Sequence, residues 1–258
     1  MLYKDKTVVI MQPTYFPWVG LFDLLDAADL MVWYDDVQLV KRSWDCRNRI
    51  KTSSGEVLLT VPVFKNESRD NTTFSSARIN YEQSWSRKHL QALKLSYQKA
   101  PNFEAMHGVV TSILSTQYPT IGELNIVAIE AFAAALGITT PTIRSSTLEG
   151  VEGSKDIRLA AICKQLEATH YLSPLGSGAY MEASFPGGHV GTAGIEVHYQ
   201  QYVHPTYNQQ YGDFASHLSI VDLMYNHAFD EALRIIRSGR HEPIPCRDYH
   251  TYMEKRTR

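Results

Sequence analysis

Hydrophobic and polar positions along the chain change rhythm several times, and each change marks an element. Residues 7–11, TVVIM, form a short β-branched apolar run that predicts a buried strand of a parallel sheet. The loop QPTYFPWVG follows, stiffened by Pro13 and Pro17. Leu21, Leu24, Leu25 and Ala28 then recur at helical spacing over about 20–27, and DLMVWYDD reads as a second strand. Strand, loop, helix and strand within about thirty residues are the βαβ pattern. Further along, 55–64 predicts a strand, and 84–99, 103–116 and 121–136 predict helices. The last of these carries one stripe of Ile126, Ile129, Phe132, Ala133 and Leu136, closed by Gly137. Residues 141–147 predict a strand, 155–168 a helix, 169–173 and 194–202 strands, and 219–238 a final helix.

Together these elements predict an α/β fold, with a Rossmann-like parallel sheet core and a helical cap or insertion. The expected organisation is a single α/β catalytic domain over 1–240 with a helical insertion at about 84–136. A polar, mobile tail is expected over 241–258. No apolar run is long enough to span a membrane, and the N-terminus lacks a signal-peptide pattern, so the expectation is a cytoplasmic protein.

Charge narrows the function classes. The chain has 25 Lys and Arg against 27 Asp and Glu, a net charge of −2, which argues against nucleic acid as a partner. Any anion site must therefore be local. The three cysteines are far apart and the ten histidines show no metal spacing, so neither a disulfide framework nor a metal site is expected.

Six segments carry candidate chemistry. The loop after the first strand offers Gln12 and Tyr15 as ligand contacts, because ligands bind beyond the carboxyl ends of parallel strands. Phe16 and Trp18 suit the core equally well. Asp35 and Asp36, followed by Gln38, end the second strand. Two adjacent like charges call for a compensating cation or amine, and suit a general base, a magnesium ligand or an ammonium anchor. Residues 41–51 carry five cations and one acid. Lys41, Arg47, Asn48 and Lys51 are the expected phosphate contacts, and Trp44 is able to stack on a ring.

Lys155 and Arg158 lie three apart in the first turn of a predicted helix that Ser154 is placed to cap. Cations there oppose the helix dipole by a few tenths of a kcal/mol, roughly, unless a bound anion reverses the sign. The Ser/Gly-rich turn after the 169–173 strand offers Ser177 and Tyr180. From Tyr199 to Phe214, aromatic and amide residues interleave as in a sugar or base platform, or as in an ordinary packed loop. Ser219 with Asp222 reads as a capping pair, and Asp222 and Asn226 read first as structural.

The stretches VIMQPTYFPWVGLFDLLDAAD, YDDVQLVKRSWDCRNRIK, LLTVPV, SKDIRLAAICKQLEATHYLSPLGSGAY and LSIVDLMYNH occur in this order. On them the chain resembles the WbqC-like family of surface-polysaccharide biosynthesis, including O-antigen and lipopolysaccharide. The resemblance implies a glycine transferase: attachment of an amino acid to the amino group of a nucleotide-linked deoxyamino sugar. It carries no catalytic residue set with it. Asn226-His227 and Pro174 depart from the expected pattern, and a proline supplies no N–H to an anion.

From the resemblance and the residues together, the expected partners are a nucleotide-linked amino sugar and an amino-acid or acyl donor; a homo-oligomer is compatible with both. Asp35, Asp36 and Lys155 are the expected catalytic residues. Gln12, Tyr15, Gln38, Lys41, Arg47, Asn48, Lys51, Arg158, Ser177 and Tyr180 are the expected binding residues. ATP and magnesium enter if the donor is activated on the enzyme. Two alternatives stand beside this reading. One is a nucleotidyltransferase-like enzyme that uses ATP and releases pyrophosphate, although the histidines of the H-x-G-H loop are absent. The other is a non-catalytic nucleotide-sugar-binding protein. The cations of 41–51 and 155–158 are expected to converge in one cleft.

Overall fold

The computed structural model describes residues 5–40, 43–64 and 72–257. In chain order its main elements are β1 (Thr7–Met11), α1 (Val19–Ala27), β2 (Leu30–Trp33), β3 (Arg47–Thr52), β4 (Gly55–Thr60), α2 (Trp85–Tyr97), α3 (Phe103–Leu114) and α4 (Ile121–Leu136). There follow β5 (Thr142–Arg144), α5 (Lys155–Gln165), β6 (His170–Ser173), α6 (Gly178–Met181), α7 (Gly188–Thr192) and β7 (Glu196–Tyr199). The chain closes with α8 (Ile220–Asn226), α9 (Phe229–Ser238), β8 (Ile244–Pro245) and α10 (Tyr249–Thr257).

Six strands form one sheet in the order β5-β2-β1-β6-β7-β8, parallel except for β8. The chain builds outward from β1 to one side, then returns to lay β6 against its other side. This is the doubly wound, Rossmann-like arrangement, with a topological switch point between β1 and β6. Strand alternation feeds two cores. Val9, Met31 and Trp33 face a cluster made with α1, α4 and α9, while Val8, Ile10 and Val32 face one made with α5, α7 and α10. Both faces of the strands are covered, which is why their sequences read as unbroken apolar runs.

The 84–136 helices belong to the first layer. Helix α4 lies on the sheet face, where Glu130 accepts a 3.0 Å hydrogen bond from the Trp33 indole, and α2 and α3 pack outward from it. No residue of 84–136 lines the main cleft.

Three elements depart from the sequence reading. The basic stretch contains a strand, β3, paired in a hairpin with β4. The predicted 219–238 helix is two helices, because His227 is extended and its ring bridges the Asn208 carbonyl and the Glu231 carboxylate. Within the 241–258 segment, expected to be a polar, mobile tail, the described residues form an antiparallel edge strand at Ile244–Pro245 and a helix over Tyr249–Thr257, anchored by buried Ile244 and Tyr249.

Candidate functional site

Strand register opens a cleft at the switch point. β1 pairs with β2 along its length, as far as Met11 against Trp33, and β6 pairs with β7 as far as Ser173 against Tyr199. Between β1 and β6, however, pairing ends at Val8 against Tyr171. The two central strands therefore separate toward their carboxyl ends, and a cavity of about 500 Å3 occupies the gap. That size falls within the range of small-molecule sites, about 300–1,000 Å3.

Each wall of the cleft comes from a different element. Gln12 follows β1, Tyr34 and Gln38 follow β2, Lys155 opens α5, and Ser177 and Tyr180 come from the turn after β6. Pro174 lines it as well. Among the described lining residues, Lys155 is the sole formal charge. It holds a left-handed φ of +52°, a conformation that costs a non-glycine residue about 1–2 kcal/mol. Surrounding amides and hydroxyls give the cleft neutral hydrogen-bonding edges around one cation.

The loop between β1 and α1 is held rigidly from below. Tyr15 and Phe16 are fully buried and stack on one another at 4.2 Å, and the Tyr15 hydroxyl meets His89 Nδ1 at 2.9 Å. Asn48 donates to the Phe16 carbonyl at 2.9 Å, and Asn125 to the Pro13 and Asp45 carbonyls at 2.8 Å each. Gly20 permits Trp18 to fold back over the start of α1, since a Cβ there would lie 2.2 Å from the indole ring.

Structure thus brings Gln12, Gln38, Lys155, Ser177 and Tyr180 to one cleft, and places the other expected residues elsewhere. Tyr15 supports the loop from the core. Asp35 is buried, receiving the Ser146 amide at 3.0 Å and the Ser146 hydroxyl at 2.8 Å. Asp36 lies 2.6 Å from the Ser145 hydroxyl and pairs with Arg158, whose guanidinium sits 5.1 Å over the Tyr34 ring. Neither carboxylate lines the cleft; they brace β2 against the turn after β5 and against α5.

The cations of the basic stretch disperse. Lys51 is buried and bonds Gln209 Oε1 at 3.2 Å and the Asp213 carbonyl. Arg47 lines a shallow surface depression with Trp44 and Glu56. Asn48, with Arg49 and Trp44, lines a second hollow that shares only Met11 and Thr14 with the cleft. Lys41 lies outside the described residues. Of the described cations in the two stretches, Lys155 lines the cleft and Arg49 the adjoining hollow, while Arg47, Lys51 and Arg158 line neither, so the expected convergence in one cleft does not occur. His217, which the sequence reading did not single out, joins that second hollow through a long-range contact that carries no local signal. No group of three metal-ligating side chains gathers among the described residues, and no helix there is long and apolar enough to cross a membrane.

Burial alone would raise the Asp36 carboxyl, but hydrogen bonds from Arg158 and Ser145 outweigh it and hold its pKa below the usual value. The folded-state pKa lies below the unfolded one. The pair's stabilisation is therefore complete above about pH 4 and is lost as pH falls through the folded value. Acid unfolding of wild type and Asp36→Asn should show a stability gap at neutral pH that closes below about pH 4. A gap unchanged by acid would mean that the pair is not ionic.

A protein-family model described as the WbqC-like protein family matches residues 12–233. A curated relative, "Uncharacterized protein Rv1507c" of Mycobacterium tuberculosis, is 34% identical over 223 residues, covering 86% of this chain and 94% of that protein. No solved structure matches the chain.

Proposed function

The chain belongs to the WbqC-like protein family, and from that premise we propose an enzyme that acylates the amino group of a nucleotide-linked deoxyamino sugar, with glycine as the acyl group. The observation that supports it is the cleft between β1 and β6, where one cation sits among amides, hydroxyls and tyrosine rings. A lone lysine suits a phosphate or diphosphate as a point charge. Gln12, Gln38 and Ser177 suit sugar hydroxyls, and Tyr34 and Tyr180 offer flat faces to a pyranose ring.

In the proposed step the neutral sugar amine attacks the carbonyl carbon of an activated glycyl group. A nitrogen–carbon bond forms, the bond from that carbon to its leaving group breaks, and the proton shed by the amine passes to the departing group, directly or by way of water. A bare carboxylate does not react in this way, so the donor either arrives activated or is activated by ATP with magnesium. Asp35 and Asp36 would act by positioning in this reading. Their carboxylates hold Ser145, Ser146 and Arg158, and Arg158 in turn packs on Tyr34 at the cleft wall.

The decisive experiment incubates the protein with UDP-glucosamine and glycine, with or without ATP and magnesium, and with a preactivated glycyl thioester. Mass spectrometry should find the sugar nucleotide heavier by one glycyl residue in one of these arms. Release of pyrophosphate accompanying the product would assign activation to this enzyme by adenylation. A sugar nucleotide that neither binds in calorimetry nor gains mass across a panel of amino sugars would defeat the proposal.

A further inference from the structure

The hollow that adjoins the cleft has a volume of about 330 Å3, and its walls are built differently. Trp18 stacks on His217, with ring centroids 5.3 Å apart and planes 24° from parallel, and meets the edge of Tyr202 at 5.6 Å. These contacts hold the indole in a fixed pose. Trp44 is half exposed, with the Arg49 guanidinium 5.4 Å over its ring. Arg49 is already engaged, its Nη1 lying 2.7 Å from Glu56, so the hollow offers little net charge to an anion. Two indoles and an imidazole line the hollow with flat rings, and few hydrogen-bonding edges remain, because the Asn48 amide already donates to the Phe16 carbonyl and accepts from the Arg49 backbone N–H. That is the chemistry of stacking on a planar nitrogen heterocycle.

We propose that this hollow is the subsite for the base of a nucleotide whose phosphate lies in the adjoining cleft. The inference rests on the reading of the cleft as an anion and sugar site. Met11 and Thr14 form the shared boundary across which such a ligand would pass. A nucleotide sugar and ATP both carry a suitable base, and the recognition chemistry is the same for each.

Isothermal titration calorimetry with UDP-glucosamine, ATP and glucosamine 1-phosphate, on wild type, Trp44→Ala, Trp44→Phe and Lys155→Ala, separates these ideas. Trp44→Ala should weaken one nucleotide about tenfold or more, the scale of one lost base–aromatic stack, and Trp44→Phe should weaken it less. Glucosamine 1-phosphate, which has no base, should bind wild type and Trp44→Ala equally. The nucleotide that loses affinity identifies the source of the base. The proposal is overturned if Trp44→Ala binds both nucleotides like wild type while Lys155→Ala loses them, or if Trp44→Ala weakens the sugar phosphate as much as the nucleotides. Wild-type protein that binds none of the three probes would instead remove the reading of the cleft, and the subsite with it.

Discussion

Lys155→Gly is expected to lower affinity for a nucleotide-linked amino sugar by about 10- to 100-fold while leaving the fold more stable than wild type. The affinity loss follows from removing the sole formal charge among the described lining residues of the cleft. A hydrogen bond to a charged group contributes about 1.5–3 kcal/mol, and 1.4 kcal/mol is about tenfold in affinity. The stability gain has a separate cause. Lys155 holds a φ of +52°, where glycine carries no Cβ penalty, so relief of about 1 kcal/mol is expected. The usual helix cost of glycine does not offset this, because the residue is not in the helical region. Lys155→Ala isolates the charge: it should lose the affinity without gaining the stability. Calorimetry and chemical denaturation on the same three proteins check both halves. Full affinity in Lys155→Gly would show that the anion is held elsewhere.

Arg240→Ala should produce the largest loss of stability, about 3 kcal/mol in a urea titration. Its guanidinium donates at 2.6 Å to Asp23 and at 2.6 Å to Asp26, two carboxylates on α1 whose side chains are only 3% and 7% exposed. Removing the cation leaves two like charges three residues apart on a largely buried helix face. Gln200 still donates to Asp23 at 2.7 Å and Arg237 to Asp26 at 2.7 Å, so the loss should fall short of complete unfolding. Adding Asp23→Asn to Arg240→Ala should recover part of the stability, because a buried amide costs less than an unpaired buried carboxylate. A double variant no more stable than the single one would show that charge is not the cause. The same pairing bears on function. Gln200 and Arg240 tie α1 to the β7 side of the sheet, and the loop that feeds α1 carries Gln12, Thr14 and Trp18.

Much of the sheet was legible because its evidence is local. TVVIM and LMVW are short β-branched and apolar runs bounded by turns, and the α4 stripe repeats at 3.6 residues. The placing of Gln12, Gln38, Lys155, Ser177 and Tyr180 around one cleft was legible for a related reason: Gln12 directly follows a strand, Lys155 opens a helix, and the other three lie in the segments that leave β2 and β6 at the carboxyl edge of the sheet. The basic stretch misled. Arg47, Arg49 and Lys51 look like one patch in sequence, yet in the strand β3 they are drawn to different partners. The loop before α8 covers Lys51, and Arg49 turns to Glu56. A cation's role is set by what faces it, and that partner lies up to 162 residues away.

The sequence by itself determined most of the element types, the family and part of the set of residues presented at the carboxyl edge of the sheet, because these follow from short-range periodicity and from extended identity of motif. Tertiary structure alone decided that pairing between β1 and β6 stops at Val8 and Tyr171, that Asp36 neutralises Arg158, and that Trp18, Trp44 and His217 meet in one hollow. Each of those is a pairing between segments far apart in the chain. Its free energy depends on burial and on the competing partners available in three dimensions, which spacing along one strand of sequence does not encode.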